Sequence, residues 1–258
     1  MQITTTGIVI RAKSMGDDRL VTLLTPDFGV LSAVARGANS PRGRLTSATE
    51  QFCYSRFVLF RYRDRVTIDS AEEQVSFFEL RRSLEKLALA SYFAELCCEL
   101  APKEEPAGEY LRLILNALHL MLRSEKSLPL LKAIFELRLL TMAGFMPDLT
   151  GCAACGDFSS KEMLFSIESG RLFCEKCCPR TEAASQVPEG VLAAMRHILY
   201  SKFEQLFSFT LSEEGTRILA GFCERYLKYQ VQRTYPSLDF YHAVAAKPAP
   251  PKQTEGTP

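Results

Sequence analysis

Several things are scarce in this chain, and each scarcity removes a class of function. Histidine is the first: only His119, His197 and His242 occur among 258 residues, far apart. Two of them fall in helical patterns, where a hydrogen-bonded, partly buried imidazole is the ordinary outcome. No GxxxxGK[ST] phosphate loop, no GxGxxG following a strand and no HExxH is present. The chain therefore reads as a binding protein and not as an enzyme. Long apolar runs are also missing. Arg112, Asn116, His119, Lys132, Glu136 and Arg138 interrupt the stretches 111–122 and 128–146, so neither reaches the roughly 18 apolar residues of a membrane span. No membrane association is expected. The opening Gln2-Ile3-Thr4-Thr5-Thr6 is polar and carries no charged segment followed by an apolar run, so no secretory signal is expected.

Net charge is nearly absent, at +1, which taken alone argues against a polyanionic partner. The average conceals an asymmetry. Residues 1–70 hold ten Arg or Lys against six Asp or Glu, and the remainder holds 21 against 24. A basic front and a mildly acidic remainder suggest polyanion contact in the first part and protein contact in the second. Nine unevenly spaced cysteines do not suggest a disulfide framework, and a reducing cytoplasm fits them best.

Up to about residue 72 the hydrophobic period is near two, with Ile8, Ile10 and Ala12 alternating against Val9, Arg11 and Lys13. Five strands are expected, at about 3–13, 19–25, 29–36, 52–62 and 65–71. Turn signals at Ser14–Asp18, Pro26-Asp27-Phe28-Gly29 and Arg63-Asp64 separate some of them. Five short strands in a segment of this length predict a small barrel, the OB-fold first and an SH3-like barrel second.

From Ser76 the period changes to about 3.6. Ser76 and Glu79 have capping-box spacing, and Leu80, Leu84, Leu87, Phe93 and Leu96 supply an apolar stripe up to Pro102. Further helices are expected after Pro106-Ala107-Gly108, around Pro129 up to Gly144, after Pro188 and after Ser212. The predicted fold class is α+β and multidomain. It comprises a five-stranded OB-fold barrel over 1–75, an α-helical bundle over 76–242 with an inserted four-cysteine zinc segment at 150–180, and a disordered tail over 243–258 with linker composition.

Two constellations carry chemistry. Cys152-Ala153-Ala154-Cys155-Gly156 is followed, after 18 intervening residues, by Cys174-Glu175-Lys176-Cys177. Paired CxxC knuckles at this separation suit a structural tetrahedral Zn2+ site, with Cys152, Cys155, Cys174 and Cys177 as ligands. Four thiolates would leave no open position for activating water. The other readings are small buried hydrophobes and a redox pair, the latter without a thioredoxin-like βαβ pattern around it. Cys178 could replace Cys177, although Cys177 keeps the knuckles alike. Cys53, Cys97, Cys98 and Cys223 fall in strand or helix patterns and are expected in the core.

The second constellation is Val34-Ala35-Arg36-Gly37-Ala38-Asn39-Ser40-Pro41-Arg42-Gly43-Arg44, a strand running into a glycine-rich basic loop. Guanidinium groups fork onto phosphate oxygens, and glycine lets backbone approach closely. Candidate nucleic-acid-binding residues are Arg11, Lys13, Arg36, Arg42 and Arg44. Among the nearby aromatics Phe52, Tyr54, Phe57, Phe60 and Tyr62, strand alternation separates Phe57 from Phe60 and Tyr62, so at least half are core. The exposed ones could stack on unpaired bases. Asp17-Asp18 reads as turn former and solvated charge in preference to a cation site.

These residues resemble the RecO family of bacterial DNA repair proteins. The likeness runs through Gly7-Ile8-Val9-Ile10, Gly16-Asp17-Asp18-Arg19-Leu20-Val21-Thr22-Leu23-Leu24-Thr25, residues 29–38 and the Cys152/Cys155 and Cys174/Cys177 segment. It covers most of the chain and weakens after about residue 180. The resemblance implies an OB-fold, a helical domain and a zinc insertion in that order. It also implies single- and double-stranded DNA binding, annealing of complementary strands, and joint action with RecR and the single-strand-binding protein to load RecA in the cytoplasm at the nucleoid. The family's tail-binding surface for the single-strand-binding protein is expected on the helical part, in a pocket between helices. Arg36 stands in the family's basic Arg-Gly-Ala stretch. Family members often continue with further basic residues there, whereas this chain has Asn39-Ser40-Pro41 before Arg42 and Arg44. A different reading, from near-neutral charge, is a protein-interaction adaptor without direct DNA binding.

Overall fold

The computed structural model describes residues 1–40, 43–63, 65–158 and 162–246. Strands β1 (Gln2–Met15), β2 (Asp18–Thr25), β3 (Gly29–Ala35), β4 (Cys53–Tyr62) and β5 (Arg65–Ser76) close into a barrel in the order β1-β2-β3-β5-β4. Every neighbouring pair is antiparallel except β3 and β5, which pair in parallel through Val34–Thr67 and Ala35–Ile68. This is the OB-fold arrangement. Its interior is filled by alternate residues, among them Val9, Val21, Leu23, Ala33, Phe57, Leu59 and Ile68.

Strand β1 departs from simple alternation because Ile8, Val9 and Ile10 are all buried. Val9 points into the barrel, while Ile8 and Ile10 join Leu24 and Val30 in the core of the helical part. One strand thus serves as a wall of two cores, and its register shift between Val9 and Arg11 marks where the double burial ends.

The helices are α1 (Leu84–Leu100), α2 (Gly108–Arg123), α3 (Leu128–Met142), α4 (Glu189–Tyr200), α5 (Glu213–Val231) and α6 (Pro236–Ala245). Phe93 of α1 stacks on Phe135 of α3, with ring centroids 3.9 Å apart. The α3–α5 contact contains charge: Lys132, only 2% exposed, lies 2.9 Å from buried Glu136 and 2.7 Å from Glu224. Burial works against the Lys132 charge, yet these carboxylates carry its pKa above the ordinary value. Burial likewise opposes ionisation of Glu224, but Lys132, Lys228 and His242 bring it down to about 2. Among the described residues no helix is long and apolar enough to cross a membrane.

Several expectations are corrected. The first helix does not start at Ser76, which is still paired with Cys53 at the end of β5. Phe78–Arg82 form a 3₁₀ turn that buries Leu80, and the helix is capped by Ser83, whose side chain accepts from the Lys86 amide. His119 is exposed on α2, not partly buried. The segment between α3 and α4 contains a four-stranded sheet of β6 (Asp148–Cys152), β7 (Met163–Ser166), β8 (Arg171–Cys174) and β9 (Ala184–Val187). Ala243–Ala245, expected within the tail, instead complete α6, opened by Pro236 and held by buried Leu238 and Tyr241. Residues 247–258 of that tail lie outside the described residues.

Barrel and helices meet at a backbone seam. The amide of Val30 donates to the Pro102 carbonyl at 2.8 Å, Glu104 to Phe28 at 3.1 Å, and Ala107 to Pro26 at 2.8 Å. At the centre stands Gly29 with φ +59, where an added Cβ would lie 2.1 Å from the Pro102 oxygen. Gly16, with φ +63, has open space around it. Gly29→Ala is therefore expected to lower stability by at least about 2 kcal/mol, and Gly16→Ala by only about 1 kcal/mol of backbone strain. Urea unfolding of both variants checks this; equal losses would show that the seam is not tight.

Candidate metal centre and nucleic-acid interface

The two knuckles are placed by the small sheet. Cys152 ends β6 and Cys174 ends β8, and these strands run parallel, with Cys152 in register with Leu172. Each knuckle then turns tightly. The Gly156 amide donates to the Cys152 carbonyl at 2.8 Å with φ +76, and the Cys177 amide donates to the Cys174 carbonyl at 3.0 Å. The sulfurs of Cys152, Cys155, Cys174 and Cys177 consequently lie within 4.8 Å of one another. Cys155 Sγ and Cys174 Sγ are 3.9 Å apart. Thiolates about 2.3 Å from one tetrahedral ion sit about 3.8 Å from each other, so the spacing suits a metal. Cys178 is turned away, its thiol donating toward the Pro179 carbonyl at 3.8 Å.

The chemistry of the donor set agrees with the geometry. Burial pushes the Cys152 thiol up, but amides of Cys174, Cys155 and Ala154 bring it down to about 6. Cys177 is pushed up to about 12 by hydrogen bonds with Cys174 and Cys155. Four sulfurs this close share protons and cannot all be thiolates unless a cation joins them. The four-cysteine cluster could hold a metal ion.

The sheet carrying the cluster is fastened to the helices. Arg196 of α4 donates from Nε to the Leu149 carbonyl at 2.8 Å, and its guanidinium covers the Phe158 ring at 3.9 Å. Phe165 of β7 packs edge-on against Phe222 and Tyr226 of α5.

The basic loop between β3 and β4 is organised by a residue to which the sequence pattern assigned no structural role. Arg19, on β2 and 8% exposed, donates from Nε to Asn39 Oδ1 at 3.1 Å and from Nη1 to the Thr46 carbonyl and Thr49 Oγ1, each at 3.0 Å. Its Nη2 pairs with Glu50 at 2.9 Å. Asp18 accepts the Gly37 amide at 2.8 Å, and Asn39 Nδ2 donates to the carbonyls of Gly16 and Asp18. Asp17-Asp18 is thus more than a solvated turn: it holds the loop from below. Asn39 is a structural pin. The signal for Arg19 was available in its position, just past the Gly16 turn and beside the glycine-rich loop.

With the loop so held, exposed Arg36 and Arg44 line one cleft of about 530 Å³ together with Gly37, Ser40, Thr67 and Asp69. Arg11 and Lys13 are exposed on the outer face of β1 and do not line this cleft. Arg11 lies near enough to Cys98 of α1 to offset part of the rise that burial gives that thiol. Arg42 lies outside the described residues. Among the aromatics, Phe52 and Phe57 are buried, Tyr54 is half-buried, and Phe60 and Tyr62 are exposed.

A groove of about 740 Å³ lies on the helical part between α3, α5 and α6. Leu130, Leu211 and Ala220 give it apolar walls, and Lys126, Arg217 and Arg225 stand along it together with Glu125, Glu213 and Glu224.

Comparison with known proteins turns this architecture into a family assignment. The family model described as recombination protein O N terminal matches residues 1–77, and that described as recombination protein O C terminal matches residues 81–239. The chain belongs to the RecO family. Curated relatives named DNA repair protein RecO agree along nearly the full length. The one from Acetivibrio thermocellus is 34% identical over 239 residues, covering 92% of this chain and 95% of its own. That from Symbiobacterium thermophilum is 34% identical over 239 residues, covering 91% and 94%. That from Desulforudis audaxviator is 31% identical over 240 residues, covering 93% and 96%. The boundary between the two RecO models, at residues 77–81, coincides with the 3₁₀ turn between β5 and α1.

The Arg19 contacts generate a prediction. Arg19→Ala strands Asn39, Thr49 and Glu50 without their common partner and should cost about 3 kcal/mol. Limited proteolysis should then cut between residues 36 and 50 before it cuts the helices. Unchanged cleavage would mean that the loop holds its shape without Arg19.

Proposed function

We propose that this chain acts in DNA repair and homologous recombination as a non-catalytic mediator. It binds single- and double-stranded DNA, anneals complementary strands, and with RecR helps load RecA onto DNA coated by the single-strand-binding protein. The observation that carries the reading is the convergence of Arg36 and Arg44 on one cleft of an OB barrel, held by buried Arg19. Two guanidinium groups on a braced loop suit phosphate oxygens, which lie on every nucleotide regardless of sequence. Arg42 belongs to the same basic loop, while Arg11 and Lys13, exposed on β1 away from the cleft, would contact a longer stretch of DNA. Family membership supports the same role, since the relatives are named as DNA repair proteins. The setting is cytoplasmic, at the nucleoid.

The metal we assign to Cys152, Cys155, Cys174 and Cys177 is Zn2+. When bound it would supply a closed cross-link between two strand ends, which is a structural and not a catalytic contribution. We assign the tail of the single-strand-binding protein to the helical groove, whose apolar walls can accept a peptide and whose rim mixes Lys126, Arg217 and Arg225 with Glu125, Glu213 and Glu224.

Fluorescence anisotropy of a labelled oligonucleotide across a salt series tests the DNA reading. Affinity should fall log-linearly with salt, and Arg36→Ala with Arg44→Ala should reduce the slope by about 1.4 for single strands. Absence of binding at low salt, with salt-insensitive partner binding, would move the assignment to a protein-interaction adaptor.

The metal has its own test. Cys155→Ser should lose bound zinc and melt well below the parent protein, because a structural site contributes folding free energy directly. A variant that keeps both its metal and its melting temperature would remove the site from the fold's stability.

A further inference from the structure

The barrel's outer face carries a feature that phosphate binding does not use. Phe60 and Tyr62 of β4 are 48% and 61% exposed, two residues apart and therefore on the same face. Register extends that face in both directions. Phe60 stands opposite Thr67 of β5 and opposite Gln2 of β1, and Tyr62 stands opposite Arg65. Thr67 is in turn opposite Val34 of β3, and Thr67 also lines the cleft of Arg36 and Arg44. The two rings therefore begin one strand away from the basic cleft, and among the described residues no element covers them.

Cations flank the rings. The Arg63 guanidinium lies 5.4 Å from the centre of the Tyr62 ring. Arg63 and Arg65 form no ion pair among the described residues, whereas Arg61 is taken up by Glu104 at 2.9 Å. Aromatic rings with guanidinium groups beside them that are unpaired among the described residues, next to a basic cleft of about 530 Å³, fit a ligand that is anionic along one edge and flat and apolar along the other.

We propose that Phe60 and Tyr62 form a stacking platform for unpaired bases of a single strand whose phosphates lie along the Arg36 and Arg44 cleft. The proposal rests on the DNA reading above and sharpens it. Ring faces two residues apart on a strand are separated by about 7 Å, a spacing an extended single strand can match with neighbouring bases. A duplex has its base faces already stacked and presents only edges and backbone. The cleft thus serves either form of DNA, and the platform serves only the single-stranded one.

The test compares two labelled strands of equal phosphate number, an oligothymidylate and its abasic counterpart, together with a duplex. The parent protein should bind oligothymidylate more tightly than the abasic strand. The double variant Phe60→Ala, Tyr62→Ala should lose that preference, weakening oligothymidylate about tenfold or more. Its affinity for abasic strand and duplex, its salt slope and its urea midpoint should stay as in the parent. Phe60→Leu, which keeps apolar area without a ring, should behave like Phe60→Ala. A second readout uses the absence of tryptophan from the chain: Tyr62→Trp makes a sole indole, which oligothymidylate should quench and the abasic strand should not. A double variant that still prefers bases, or a Phe60→Leu variant that behaves as the parent, would overturn the platform while leaving the cleft in place. Undiminished binding of every ligand by the Arg36→Ala, Arg44→Ala variant would instead overturn the phosphate reading beneath it.

Discussion

One short piece of backbone, Ile8-Val9-Ile10, constrains the rest of the molecule. A strand with one buried face already has its register fixed, since a one-residue slip turns its apolar set outward, and here two cores depend on that one register. Val9 commits the residues inside the barrel, and Ile8 and Ile10 commit α1 and the helices behind it. Loss of either core exposes the apolar face that the other needs. Barrel and helices therefore share a wall as well as a chain connection, and the Gly29–Pro102 seam forms where that shared wall brings two turns together.

That sharing also sets the site. Because β1 and β2 are fixed from behind by helices, the Gly16–Asp18 turn between them is a firm base for the loop after β3. Arg19 and Asp18 transmit that firmness to Asn39, Thr46, Thr49 and Glu50 through hydrogen bonds to nearly all available donors of one guanidinium. A buried arginine with this many acceptors is a rigid part, unlike an exposed one on a mobile loop. Exposed Arg36 and Arg44 derive their convergence from it, which matters because charge held in place loses less entropy on binding.

Much of this was legible in the sequence, for reasons particular residues make clear. Barrel strands declared themselves because alternate positions such as Leu23, Phe57 and Leu59 face a closed interior, and a period of two survives wherever one face is buried. The four cysteines declared themselves because metal geometry fixes spacing within each knuckle. What was missed was governed by contacts distant in sequence. Strands β6 to β9 are four or five residues long, too short to show a period, and their pairing follows from where the knuckles and Arg196 hold them. Ser76 carried the spacing of a helix cap but was claimed by its ladder partner Cys53. The position of Arg19 beside the Gly16 turn hints at a link to the basic loop, but its burial depends on Thr46, Thr49 and Glu50, which lie some 30 residues away. Helix α6 was passed over because its two anchors, Leu238 and Tyr241, are a weak stripe without the α1 surface they cover.

The parallel closure of the barrel has a consequence of a different kind. Among the described residues β3 and β5 are joined only at Val34–Thr67 and Ala35–Ile68, while every other seam is longer. The shortest seam is where a barrel breathes first, and its amides are the ones whose hydrogens exchange soonest with solvent. The basic cleft straddles that seam, with Arg36 and Leu45 on one bank and Thr67, Ile68 and Asp69 on the other. Anything that grips both banks holds the barrel shut, so occupancy of the cleft and closure of the barrel are linked equilibria: the ligand acts as a removable clasp, and the barrel's lifetime in the closed form becomes a measure of how much of the protein is bound.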